Sequence, residues 1–245
     1  MVMNVASMMN DEKLIFLHIP KTAGTSLRVL IEQAYAPEEC LFLYSQFEPH
    51  VLEAIHQALP KAKVLYGHVC YGVHETLGIS AKYVTFLRNP IDRIVSFYSH
   101  NARAPGMMWY AAIQAGMTLR DMVESGVSVE TNNHITRILT SYAPASVLDD
   151  DAVLAQAIAN LHRHFCLVGC SETLEIAVQT LKTALQWQIN DLPRLNINPH
   201  PVHLDAATLA TLEKFNRLDL LLYNYVQRHF DPSSLRECEV ARPVV

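Results

Sequence analysis

The 245-residue sequence has no apolar run long enough to span a membrane. Its opening residues, MVMNVASMMNDEK, lack the charged segment and apolar core of an export signal. Both absences lead us to expect a soluble, cytoplasmic chain. Basic excess is missing too: 19 Lys and Arg face 24 Asp and Glu, a formal net charge of −5. The acidic surplus falls after residue 110, which argues against a nucleic-acid binder working through a broad basic face. No repeat, low-complexity segment or Pro/Gly/Ser-rich linker interrupts the chain, so we read a single domain over residues 1–245. Its core would cover about 13–230, followed by a tail from 231 without clear period. Cys40, Cys70, Cys166, Cys170 and Cys238 form no CxxC pair, which suits a reducing compartment.

What is present is a globular composition, 50% hydrophobic and 18% charged, enough apolar residues for a substantial core. Short apolar runs at 13–19, 63–68, 82–88 and 165–169 read as buried strands. Helical patterns occupy 26–35, 50–58, 90–101, 151–163, 172–186 and 206–229. Asn89-Pro90 predicts a helix start, with Asn as cap and Pro in the first turn, and Asp205 caps the last helix. Strands alternating with helices predict an α/β fold, a mostly parallel sheet covered on both faces. His162, His164 and Cys166 would share one face of an extended strand, with Cys170 beyond. The apolar FCLVG run and the missing acidic ligand argue against a metal there.

In an open parallel sheet, ligands bind beyond the carboxyl ends of the strands. Three basic side chains follow strands here: Lys21, His68 and Arg88. Lys21 opens the turn Thr22-Ala23-Gly24-Thr25-Ser26, which leads into a helix. Such a turn can hold an anion through amide donors and the positive helix end. Gly24 would allow a close approach or an unusual dihedral. The plainer reading is a βα turn capped by Thr25 or Ser26 beside a solvated lysine. Arg88 could fork onto a phosphate or merely pair with Asp92. Ser96 could add a hydroxyl to the same anion or bond back to its own helix.

The stretches FLHIPKTAGTSL (16–27) and TFLRNPIDRIVSFYSH (85–100) together resemble sulfotransferases that use 3′-phosphoadenosine-5′-phosphosulfate (PAPS). The spelling HIPKTAGTS is closest to the carbohydrate 2-O-sulfotransferase branch and its bacterial relatives. Weaker likeness runs through YGHVCYGVHE, NNHITRIL and LDLLLYNYVQRHF, so it spans most of the chain. The resemblance implies a P-loop-like three-layer fold. It also implies that Lys21 contacts the bridging oxygen, Thr22 to Ser26 bind the 5′-phosphate, and Arg88 and Ser96 hold the 3′-phosphate.

In-line sulfuryl transfer to a hydroxyl or amine needs no metal, but it does need a base. The resemblance gives that role to His68, after its Gly. His18 is a rival whose strand context predicts a hydrogen-bonded core residue. His74 and Glu75 would line the acceptor pocket or replace His68 as base. Arg137 would touch acceptor or cofactor, or else form a helix-surface ion pair. The acceptor expected is a sugar or small molecule. Two other readings remain at this point. A P-loop kinase would want Gly-Lys-Ser/Thr and a magnesium-binding carboxylate, neither of which appears. A non-catalytic nucleotide-binding relative would show His68 buried and turned away.

Overall fold

The computed structural model describes residues 12–44, 49–141, 149–189 and 204–236. Cys238, the N-terminal stretch before Glu12 and the tail beyond Arg236 lie outside them. Five strands form one sheet: β1 (Lys13–Leu17), β2 (Cys40–Leu43), β3 (Val64–Gly67), β4 (Ala81–Leu87) and β5 (Phe165–Cys170). Their order is β2-β3-β1-β4-β5, and every pair is parallel. The α/β expectation holds. The edge strand β2 was not foreseen, because four residues, CLFL, carry little pattern of their own. They become a strand by pairing Cys40–Leu43 with Val64–Gly67.

Period-two alternation divides the core. Ile15, Leu17, Leu65, Tyr83 and Leu87 face one side of the sheet; Leu14, Phe16, Val64, Tyr66, Val84 and Phe86 face the other. The first face is covered by α2 (Pro49–Ala58), α3 (Val73–Leu77), α7 (His134–Ile138), α8 (Asp150–His164) and α11 (Arg217–His229). The second is covered by α1 (Gly24–Ala34) and α9 (Leu174–Leu185). Fully burying each such aliphatic or aromatic side chain contributes about 1.5–3 kcal/mol. A smaller cluster joins α4 (Pro90–Arg103), α6 (Leu119–Glu124) and α10 (Ala206–Phe215) through Ile94, Val123 and Leu212. A short α5 (Tyr110–Gln114) packs beside α4.

The predicted caps form. Asn89 Oδ1 accepts from the amides of Ile91 (3.0 Å) and Asp92 (3.3 Å), and Asp205 Oδ1 from that of Thr208 (2.6 Å). The single helix expected over 206–229 is two, broken at Asn216. That residue is fully buried, and its side chain donates to the Thr131 and Leu212 carbonyls at 3.0 and 2.9 Å. His162 and His164 end α8, extending the helix expected over 151–163, so the shared strand face considered for them with Cys166 does not exist.

The strand order makes β1 a switch point. The chain steps from β1 to the far strand β2, returns to β3 beside β1, then crosses to β4 on β1's other side. Ligands collect at the carboxyl ends around such a point.

Candidate active site

A cavity of about 680 Å³ opens at that edge, and four strand ends meet in its wall: Lys21 after β1, His68 after β3, Arg88 after β4 and Ser171 after β5. Three of the four were expected from their position after strands. Helix α4 adds Ser96, His100 and Arg103, spaced at four and three residues and hence on one helical face. His100 and Arg103 were missed, although the spacing from Ser96 was readable.

The turn after β1 is built around two left-handed residues that are not glycine, Lys21 (φ 74°) and Ala23 (φ 67°). Each such conformation costs about 1–2 kcal/mol, and strain of this kind gathers at ligand clamps. Ala23 is the N-cap of α1 and offers no side-chain cap, so neither Thr25 nor Ser26 caps the helix as the plainer reading required. Among the described residues nothing accepts from the amides of Ala23, Gly24 or Thr25. The concave turn thus presents donors and the positive end of α1 to the cavity. Thr22 serves differently from its neighbours. Its side chain is buried, and its hydroxyl donates to the Ile19 carbonyl at 2.8 Å, which braces the turn.

Gly24 is needed for space, not for an unusual dihedral. A Cβ there would stand 1.8 Å from His18 Nε2. His18 stacks on Tyr66 (centroids 5.4 Å apart) and lies against His68 (4.7 Å). Tyr66 in turn donates to the Gly24 carbonyl at 2.6 Å. The expectation of a hydrogen-bonded His18 fails, since neither ring nitrogen has a hydrogen-bond partner among the described residues. Burial first, then the neighbouring His68 and Lys21, push its pKa down to about 3, so the ring is neutral at physiological pH.

His68 is exposed to the cavity, with its ring between His18 and Tyr44 (5.1 Å). Partial desolvation lowers its pKa from the ordinary value. Arg88 Nη1 donates to the Lys21 carbonyl at 3.3 Å and forms no pair with Asp92, so a backbone contact ties the turn to β4. Lys21 is lowered by desolvation, then by Arg103 and Arg88, while Glu130 acts in the opposite sense. A bound polyanion would relieve all three cations.

Glu130 is the acidic member of this wall, and sequence reasoning missed it. Its Oε2 accepts from Nη1 of the fully buried Arg93 at 2.8 Å, and His134 Nε2 lies 3.2 Å from the same oxygen. Arg93 Nη2 also donates to the Glu130 carbonyl. Burial raises the Glu130 pKa, with Arg93 and then Lys21 offsetting part of the shift. The short α7 behind it is anchored by buried Asp219, which accepts from the Ile135 amide (3.0 Å), the Thr136 amide (2.8 Å) and the Thr136 hydroxyl (2.6 Å).

Three expected site residues are elsewhere. His74 is buried against Tyr83 of β4, its Nδ1 2.8 Å from the tyrosine hydroxyl and its ring 5.2 Å from that of His164. That is the amino edge of the sheet, because α3 turns back there before β4 begins. Glu75 is exposed beside it, 3.9 Å from His74 Nε2. Neither lines the cavity. Arg137 is half-buried on α7, donating from Nη2 to Asn132 Oδ1 at 3.2 Å, also outside the cavity wall. Among the described residues no group of His, Cys, Asp and Glu is arranged to hold a metal ion. Cys40, Cys70, Cys166 and Cys170 are unbridged. No helix among the described residues is long and apolar enough to cross a membrane.

The cavity and its strand–turn–helix entrance can be set beside known proteins. Galactose-3-O-sulfotransferase 3 of Bos taurus is 23% identical over 241 residues; the match covers 88% of this chain and 56% of that protein. This chain therefore spans a little over half the length of that relative. The crystal structure of mouse sulfotransferase SULT7A1 complexed with PAP aligns with a TM-score of 0.46 at 14% identity. That alignment covers 94% of this chain and 73% of that one. A sequence model of the sulfotransferase family matches residues 6–138, more than half of the chain, and includes Lys21, His68, Arg88 and Ser96. On that match, the chain belongs to the sulfotransferase family.

Proposed function

We propose that this chain transfers a sulfuryl group from PAPS to a hydroxyl or amine of a carbohydrate or small-molecule acceptor, with His68 as general base. One observation carries the reading. The strained turn of Lys21 and Ala23, the strand-end Arg88 and the α4 face of Ser96 share one cavity with an exposed, neutral histidine. Open amides and Lys21 fit the charge of a phosphosulfate, and Arg88 and Ser96 fit the 3′-phosphate, with Arg103 in the same wall. The galactose in the bovine relative's name supports a carbohydrate acceptor. Unbridged cysteines suit a reducing, cytoplasmic setting.

When bound, the donor supplies an activated sulfur–oxygen bond. The new acceptor–sulfur bond forms as the old bond to the bridging oxygen breaks, and the electron pair leaves with the phosphate. Lys21 stabilises the charge gathering on that oxygen. His68 takes the acceptor's proton, a contribution typically worth ~10²–10⁴ in rate. Its lowered pKa keeps it unprotonated at neutrality. Because the wall also holds Glu130, a neutral or cationic acceptor is favoured over a strongly anionic polymer.

Calorimetric titration with adenosine 3′,5′-bisphosphate tests the donor site. Tight binding to the wild type, lost in Arg88→Ala and not matched by ATP–magnesium, is the expected result. Binding of ATP–magnesium without the bisphosphate would overturn the proposal and restore the kinase reading.

A further inference from the structure

The cluster around His162 and His164 belongs to a second cavity, of about 280 Å³, at the amino ends of β4 and β5. Lys82, the second residue of β4, lies in its wall, and Arg88 follows that strand's other end in the donor cavity. Six residues at about 3.3 Å each separate the two by about 20 Å. The wall gathers Lys82, Arg163, Arg236, His162 and His164, and among the described residues no carboxylate lines it.

Arg236 is held in place from three directions. Its amide donates to the Cys166 carbonyl at 2.9 Å, and its Nη2 to His162 Nδ1 at 2.9 Å. Its guanidinium lies 4.8 Å from the Phe230 ring centre. His162 is thereby a neutral acceptor at Nδ1, leaving its Nε2–H to face the Tyr225 hydroxyl at 2.8 Å. Lys82 and Arg163 have no carboxylate partner among the described residues. His164 is lowered by burial, then by His74, Arg163 and Lys82, with exposed Glu75 opposing; His162 is lowered by burial, then by Arg236 and His229. Three permanent cations around one concavity repel each other and any metal ion, while an anion would neutralise them. The volume suits a small oxyanion and is less than half that of the donor cavity.

We propose that this cavity binds a free oxyanion of the sulfate or phosphate class, gripped by Arg236, Arg163 and Lys82. The forked guanidinium fixed against His162 supplies the orientation. This site is distinct from the donor cavity and does not rest on the sulfotransfer reading.

The test titrates inorganic sulfate, and separately phosphate, into the full chain while following the ring signals of His162, His164 and His68 by NMR. Adenosine 3′,5′-bisphosphate is present throughout to occupy the donor cavity, and a parallel titration uses chloride at matched ionic strength. The same titrations in Arg88→Ala keep the readout clear should the bisphosphate not bind. We expect saturable shifts of His164 and His162 with the oxyanions and not with chloride. The His164 pKa should rise, since an anion favours its charged form. In the Arg163→Gln, Arg236→Gln double variant the midpoint should move to at least about tenfold higher sulfate, the loss of roughly one charge-assisted bond. Both arginines are exposed, so the variant should fold; Lys82→Gln provides a second, milder variant. Equal effects of chloride and sulfate, or an unchanged midpoint in the double variant, would overturn the proposal.

Discussion

His68 and His18 show what position does to one side chain. Their rings are 4.7 Å apart, yet only His68 is exposed in the cavity, while His18 has its nitrogens sealed in. Replacing His68 with Ala should lower kcat by ~10²–10⁴ and leave bisphosphate affinity unchanged. Loss of both together would assign His68 to binding instead. Because desolvation lowers its pKa below 6.5, activity should fall only as pH drops through that lowered value and stay flat above it toward neutrality. An acid limb centred above 6.5 would contradict the assignment. Glu130 poses a different test. Glu130→Gln strips the fully buried Arg93 of its carboxylate partner, so a stability loss of up to about 3–5 kcal/mol is expected. Thermal melts beside the kinetics separate that loss from any effect on acceptor KM. Lys21, His68, Arg88 and Ser96 were legible because each follows a strand or sits inside a spelled-out motif. Glu130 was not, since its place depends on a partner 37 residues away, Arg93. His74 and Glu75 were misplaced because nearness to His68 in sequence ignored the turn of α3 toward the opposite edge.

The turn between β1 and α1 is the element on which the proposed donor site depends, and its conformation is overdetermined. Ile19 holds Thr22, Arg88 holds the Lys21 carbonyl, Tyr66 holds the Gly24 carbonyl, and the His18 ring fills the space a Cβ would need. Gly24→Ala must push His18 off Tyr66 or move the first turn of α1. We expect a cost of about 1–3 kcal/mol from overpacking and a bisphosphate affinity at least about tenfold weaker, one misplaced charge-assisted bond. Calorimetry and denaturant melts check both; an unchanged affinity would mean the turn tolerates the shift and is not the anion cradle. Strands β1, β3, β4 and β5 and the helix starts at Asn89 and Asp205 were readable from local chemistry. The break at Asn216 was not, because a buried amide bridging to Thr131 is a tertiary demand that the periodicity of 206–229 conceals. Strand β2 escaped for the same kind of reason, since its identity comes from pairing with β3.

For the whole molecule, the neutral histidines inside the fold set an acid limit on stability. His18 has a folded pKa of about 3, and His134 lies well below 6.5, mainly through burial and then through the charges of Arg93 and its neighbours. Unfolded, both would titrate near the ordinary value of 6.5. Between the folded and unfolded values the unfolded chain therefore binds more protons, and stability falls as pH is lowered through 6.5. Each such histidine adds a slope of up to about 1.4 kcal/mol per pH unit in that window. The raised pKa values of Glu130 and Asp219 act in the opposite sense at the lower end, since their native forms hold protons the unfolded chain would release. The absolute slope thus mixes many groups, the other histidines lowered by burial among them, but a difference isolates one. Urea melts at steps between pH 7.5 and pH 5 should show a steeper loss for the wild type than for His18→Asn. The gap should approach one proton's worth of slope toward the acid end. Equal slopes would mean that His18 reaches solvent in the native state, and with it that the stack of His18 on Tyr66 under the Lys21 turn opens before the protein unfolds.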